Sequence, residues 1–336
     1  MSYSREILLN SFRHLFRKAT GEDFSTIVSL KADSSERKIY RLALDNVSYI
    51  AVHNDQVEEN IAYISFSESF HNAGLAVPGI IAVSDDSTSY LVEDLGDDTL
   101  FKITWILDTK SLDEFHTTAL NDLIMFQTTG KTAIDFGKCF PSIAFDRSVI
   151  SNDIEKFHKY FLPKISESGI SDQTMMTVID VLSEIAARNN RGYFMYRDFQ
   201  PRNIMVINDE LYYIDFQSGM KGASQYDLAS FLYSGSINLD EKQRAVLAKV
   251  YCDAYTFQTG IAEDEFMEDF GEFVLLRLIQ VLGSYSYVHH KKQKDDTLRK
   301  IPKALNNLSL VSQRIRIPVL KDFADQVLES GMKYYS

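Results

Sequence analysis

An α+β fold is predicted for this chain of 336 residues, strand-rich in its opening third and mostly helical thereafter. Three observations carry the expectation. Short runs of apolar and β-branched residues, separated by turn signals, crowd the first 94 positions. Beyond them, apolar residues recur at helical spacing over long stretches. The 15 glycines and 6 prolines are about half the usual combined share, which disfavours a loop-rich all-β chain.

Each element follows from its own residues. Near the N-terminus, Arg5, Glu6, Arg13, His14, Arg17 and Lys18 interleave with Leu8, Phe12, Leu15 and Phe16. That is the pattern of an amphipathic helix packed on its own domain, not of an apolar export signal. Residues 26–30, 39–44 and 47–53 read as strands, the first pair joined by a polar stretch and the second by the turn Asp45-Asn46. Residues 58–73 read as a helix stopped by Gly74, with Pro78 just beyond. Residues 80–83 and 89–93 complete a five-stranded unit. Helices are expected over 112–128, 153–168 and 174–189. Runs 204–207 and 211–214 then flank Asn208-Asp209-Glu210, a hairpin within a helical region, and helices resume at Gln225.

Composition narrows the function. Hydrophobic residues at 45% and charged residues at 24% describe a globular chain, and a net charge of −12 argues against general nucleic-acid binding. The longest apolar candidate for a membrane span, 273–283, is broken by Arg277 and Gln280. Cys139 and Cys252 are the only cysteines, too few and too far apart for a disulfide framework or a zinc site. A cytoplasmic protein with a small-molecule substrate, and neither nucleic-acid nor membrane partners, is expected. Walker A, G-x-G-x-x-G, H-E-x-x-H, C-x-x-C and G-x-S-x-G patterns are all missing.

The informative segment is Tyr196-Arg197-Asp198-Phe199-Gln200-Pro201-Arg202-Asn203, followed by Leu211-Tyr212-Tyr213-Ile214-Asp215-Phe216-Gln217. An Asp and an Asn share a tight loop enforced by Pro201, and a second Asp closes the hairpin. Mg²⁺ takes hard oxygen ligands, and only one or two from protein when phosphates supply the rest, a set that Asn203 and Asp215 can provide. Asp198 is then free to accept a hydroxyl proton.

This pattern resembles the protein-kinase-like fold, and within it the aminoglycoside phosphotransferase and choline kinase branch, whose loop reads H-G-D-x-H-P-x-N with a later I-D-F or I-D-W. Asp198, Pro201, Asn203 and Asp215 match, whereas Tyr196 and Gln200 replace the two histidines. Tyr226-Asp227-Leu228-Ala229 resembles the branch's Y-D-L-A segment, whose Asp braces the loop. The wording Y-R-D-F-Q with I-D-F-Q is nearer to bacterial anomeric kinases of N-acetylmuramate and N-acetylglucosamine than to resistance enzymes.

The resemblance implies a small nucleotide-covering lobe over 1–94 and a helical lobe over 95–336. It makes Asp198 the catalytic base and Asn203 and Asp215 the Mg²⁺ ligands, with ATP as phosphoryl donor. Ser34, Ser35 and Arg37 lie in the phosphate-covering loop, and Glu93, Asp94 and Leu95 form the hinge that would meet adenine. Arg197 and Asp227 would support the catalytic loop, and Arg202 and Gln217 are candidates for substrate contact. His53 stands where the kinase V-A-I-K pattern has its phosphate-holding lysine, with Glu58 or Glu59 as the helix partner. Either Lys31, Arg37 or Lys38 supplies the missing cation, or the chain is a non-catalytic nucleotide-binding scaffold. The leading expectation is an ATP- and Mg²⁺-dependent kinase of a sugar or amino sugar. An aminoglycoside- or choline-type kinase is the alternative, with the acidic residues of 263–269 as a cation pocket.

Overall fold

A computed structural model describes residues 2–30, 37–293 and 295–335. The expected Ser34 and Ser35, and Lys31 with them, lie outside the described residues. Contacts divide the chain into a sheet unit, formed by Met1–Ile103, Thr132–Ile143 and Arg202–Gly219, and a helical unit, formed by Thr104–Lys131, Ala144–Pro201 and Met220–Ser336.

In the sheet unit, α1 (Ser2–Thr20) precedes β1 (Thr26–Leu30), β2 (Lys38–Leu44), β3 (Val47–His53), α2 (Val57–Asn72), β4 (Ile80–Val83), β5 (Ser89–Glu93) and α3 (Leu100–Ile103). The five strands pair antiparallel in the order β1-β2-β3-β5-β4. The apolar stripe of α1, Leu8, Phe12, Leu15 and Phe16, is buried against Leu42, Ala51 and Leu91 of the sheet, the packing its spacing predicts. Glu58 and Glu59 sit in the first turn of α2, where the helix dipole favours acids. Gly74, at φ 79°, supplies the left-handed exit that a side chain would strain.

The hairpin of the same unit pairs β7 (Ile204–Ile207) with β8 (Glu210–Tyr213), β6 being the short strand Tyr193–Met195. Asn208 and Asp209 both have positive φ, 50° and 64°, as a two-residue type I′ connection requires.

The helical unit holds most of α4 (Thr109–Ala133), then α5 (Arg147–Lys156), α6 (Asp172–Asn189) and β6, which pairs with β9 (Met220–Gly222). After these come α7 (Ser224–Leu232), α8 (Glu241–Thr259), α9 (Glu263–Met267), α10 (Phe270–Lys292), α11 (Asp295–Leu298), α12 (Ile301–Ser312) and α13 (Pro318–Tyr335). Helix α10 is central: Val274, Leu275, Leu278, Ile279 and Leu282 are buried, and it packs on α5, α7 and α12. At Gly283 a Cβ would lie 2.5 Å from the Phe157 nitrogen, so only glycine admits this approach.

One expected helix is corrected. Residues 153–168 are not continuous: α5 ends at Lys156, a wide turn covers Phe157–Phe161, and tight turns cover Leu162–Ser168, with Ile165 out of helical geometry. Pro163 explains the break, because a mid-helix proline removes one N–H and collides with the preceding turn. Among the described residues, no helix is long and apolar enough to cross a membrane.

Candidate active site

The register of the β7–β8 hairpin brings two expected ligands together. Ile204 pairs with Tyr213, so the residues just outside the pair also meet, and the Ile214 N–H donates to the Asn203 carbonyl at 3.0 Å. Asn203 Nδ2 consequently lies 3.5 Å from Asp215 Oδ2. The next residue, Phe216, is fully buried, stacked on Tyr63 at 4.9 Å and edge-on to Phe70. That anchor fixes Asp215, whose backbone is left-handed at φ 68°.

Arg37 Nη2 donates to Asp215 Oδ1 at 2.5 Å, and its Nε lies 4.0 Å from Glu59 Oε1 in α2. Gln217 Nε2 donates to both acids, at 2.9 Å to Asp215 and 3.3 Å to Glu59. Burial works against the Asp215 carboxylate, yet the Arg37 guanidinium and the Gln217 amide hold its carboxyl below the usual range. Burial likewise disfavours the Arg37 charge, and Asp215 outweighs it, so the guanidinium stays fully ionised.

A separate constellation forms within the helical unit. Asp227, in the first turn of α7, is fully buried and accepts the N–H groups of Tyr196 and Arg197, each at 2.8 Å, and Gln127 Nε2 at 3.2 Å. Burial pushes its carboxyl up to about 7 against those three donors. Arg197, at φ 73°, sends its guanidinium to Asp153 of α5 at 2.6 Å and over the Phe145 ring. Burial raises the Asp153 carboxyl even though Arg197 opposes it.

Asp198 Oδ1 accepts from Arg277 Nη2 at 3.1 Å. The arginine side chain is 8% exposed and the aspartate 38%, so a buried cation holds a carboxylate that remains open to solvent. Arg277 also donates to Gln280 Oε1 at 2.9 Å and lies over the Tyr226 ring. Arg277 and Asp153 were not among the expected site residues. Their pairings span the sequence and have no local pattern, although a charge inside the longest apolar run is a signal for Arg277.

The remaining expected residues are placed as follows. His53 Nδ1 lies 3.0 Å from Ser89 Oγ and Nε2 3.3 Å from Asp55, and burial lowers its pKa, so its ring is a poor phosphate cation. Glu59, rather than Glu58, meets a cation. The Glu93 carboxylate accepts the Gly79 N–H at 2.9 Å. Asp94 is held by Arg41 through two bonds of 2.6 and 2.9 Å, and Leu95 is half-buried. Arg202 lies over the Phe101 ring, 4.9 Å from its centroid. Gln217 is buried beneath Asp215 and Glu59. In the acidic stretch, Glu263 pairs with Lys249, Glu265 with Arg191, Glu268 with Arg316 and Asp269 with Arg188.

Residues 163–262 match the sequence model of the phosphotransferase enzyme family. An N-acetylmuramate/N-acetylglucosamine kinase of Pseudomonas aeruginosa is 23% identical over 296 residues, covering 86% of this chain and 84% of its own. Amicoumacin kinase, solved in complex with AMP-PNP, Ca²⁺ and Ami, is 12% identical with a TM-score of 0.62, over 97% of this chain and 96% of its own. A choline kinase of Streptococcus pneumoniae is 14% identical with a TM-score of 0.57, over 91% and 99%. The expected protein-kinase-like fold is therefore the fold observed.

Proposed function

We propose that this chain, a small-molecule phosphotransferase of protein-kinase-like fold, moves the γ-phosphoryl group of ATP onto a hydroxyl of an uncharged or acidic sugar, an amino sugar foremost. The acceptor oxygen bonds to the γ-phosphorus while the bond from that phosphorus to the diphosphate breaks. The hydroxyl proton passes to the Asp198 carboxylate, and ADP departs. Arg277 holds Asp198 in place, and Asp227 and Arg197 keep its loop in shape.

The residues around Asp215 suit Mg²⁺. Asp215 and Asn203 offer hard oxygens on neighbouring backbone, Asp215 already draws a cationic group, and the buried Gln217 Oε1 has no hydrogen-bond donor among the described residues. Bound there, the ion would neutralise phosphate charge.

One observation carries the choice of acceptor. Around Asp198 the charges cancel: Arg277 answers Asp198, and Arg197 answers Asp153. A choline or aminoglycoside cation needs surplus acid, and four acids of the 263–269 stretch are paired with basic side chains. A sugar hydroxyl needs no such surplus. The similarity to a kinase named for N-acetylmuramate and N-acetylglucosamine supports the same class.

The test is ADP release from Mg²⁺–ATP with a panel of sugars, amino sugars, aminoglycosides and choline, followed by phosphorus NMR of any product. An amino sugar should be phosphorylated by wild type and not by Asp198→Asn. Turnover confined to choline or aminoglycosides would replace this reading with the cationic one.

A further inference from the structure

The register between β2 and β3 sets Lys38 opposite His53, so those two side chains share one face, and Arg37, one residue earlier, turns to the other face, where Val52 pairs with Tyr90. Its guanidinium reaches two acids at once, Asp215 at 2.5 Å and Glu59 at 4.0 Å. Glu59 is one of the two α2 glutamates expected to pair with the strand lysine. It is itself held by Asn54 Nδ2 at 2.8 Å and by Gln217. Arg37 therefore meets one of the two glutamates expected to pair with the missing lysine and also sits on the carboxylate expected to take the metal.

We propose that Arg37 is the phosphate-side cation of this enzyme and that it exchanges partners when the metal–nucleotide enters: the divalent ion takes Asp215, and the released guanidinium, tethered by Glu59, turns to the triphosphate. This deepens the phosphotransferase reading and rests on it. Two cations cannot share one carboxylate oxygen at contact distance without strong mutual repulsion. Arg37 holds Oδ1, so an ion that takes this oxygen requires the Arg37–Asp215 pair to open. Arginine suits this exchange, because its flat fork forms paired bonds with carboxylate and phosphate alike. The exchange also keeps Asp215 paired at every stage, so a half-buried carboxylate is never left alone.

The consequence is a signature that a simple phosphate ligand would not produce. Arg37→Met should weaken Mg²⁺–AMP-PNP binding by about ten- to a hundredfold, the effect expected for losing one charged hydrogen-bonding group. The same variant should bind Mn²⁺ alone more tightly than wild type, because the competitor for Asp215 is gone. Calorimetry reads the first quantity and the electron paramagnetic resonance signal of free Mn²⁺ reads the second, neither requiring turnover. Circular dichroism confirms that the variant is folded, and Arg37→Lys provides a second, milder probe in which both effects should have the same sign.

Arg37→Met that binds nucleotide as wild type does, or that binds Mn²⁺ equally or more weakly, overturns the exchange. Wild type that binds no Mg²⁺–AMP-PNP sinks the phosphotransferase reading itself, and the exchange with it. Those outcomes are distinguishable because the latter is read on the unaltered protein.

Discussion

The carboxylates expected at the chemistry each carry an arginine, but the two pairs are built differently. Arg37 stands at the lead into β2, with Glu59 as a second anionic partner, so Asp215 is one of two places its charge can rest. Arg277 rises from the middle of the central helix α10, bonded to Gln280 and covering Tyr226, and Asp198 is its acidic partner at 3.1 Å. The first pair has the means to change partners, whereas the second has the means to stay put. A metal ligand has to be vacated before its ion arrives, while a base has to be aimed before its substrate does.

Substitutions at the two acids should separate these roles most widely. Asp215→Ala is expected to abolish the Mg²⁺ dependence of nucleotide binding, read by calorimetry with and without the metal. Asp198→Asn should keep that binding and lose about 10²- to 10⁴-fold in turnover, the usual worth of a positioned general base. Equal losses of binding in both variants would erase the distinction.

At the next level, Arg277→Gln should lower kcat by about ten- to a hundredfold through misplacement of Asp198, with nucleotide affinity unchanged. Arg277→Lys should recover part of the rate. A fall in melting temperature that accounts for the lost activity, with no recovery by lysine, would make Arg277 a packing residue instead.

The smallest effect lies on the acid side of the stability curve. Because Asp215 has a lowered carboxyl pKa in the folded chain, its contribution is fully present above the unfolded value near pH 4. It is lost as pH falls through the lower native value. Asp215→Asn should therefore flatten the fall in melting temperature between about pH 4 and pH 2. An unchanged slope would show that the Arg37 pair adds nothing to stability.

Much of the fold was legible because it rests on local chemistry. The strands Thr26–Leu30, Val47–His53, Ile80–Val83 and Ser89–Glu93 coincide with their sequence expectation, since alternation and flanking turn residues mark both ends. The hairpin was legible for the same reason, through Asn208 and Asp209. What escaped depends on distant partners. The three-residue strands β6 and β9 lie about 25 positions apart and are too short to carry a pattern. At the site, Asp198, Asn203 and Asp215 stood out by spacing. Arg277 and Asp153 acquire their meaning only when α10 and α5 fold beside the loop. The break after Lys156 was written in Pro163, and helical periodicity on either side of it masked the signal.

Arg197 and Asp215 share a feature with a consequence for how these loops tolerate change. Both hold positive φ without being glycine, a conformation that costs an ordinary residue about 1–2 kcal/mol. Glycine would fit either backbone more cheaply, so the chain geometry alone does not account for the side chains found there. Substituting glycine at Arg197 would relieve the backbone while stranding Asp153 without its cation. At Asp215 it would leave the hairpin better relaxed and Arg37 without its carboxylate. Each loop thus sets a backbone cost against an ion pair, and glycine at either position would exchange about 1–2 kcal/mol of relief for a partner left without its counter-charge.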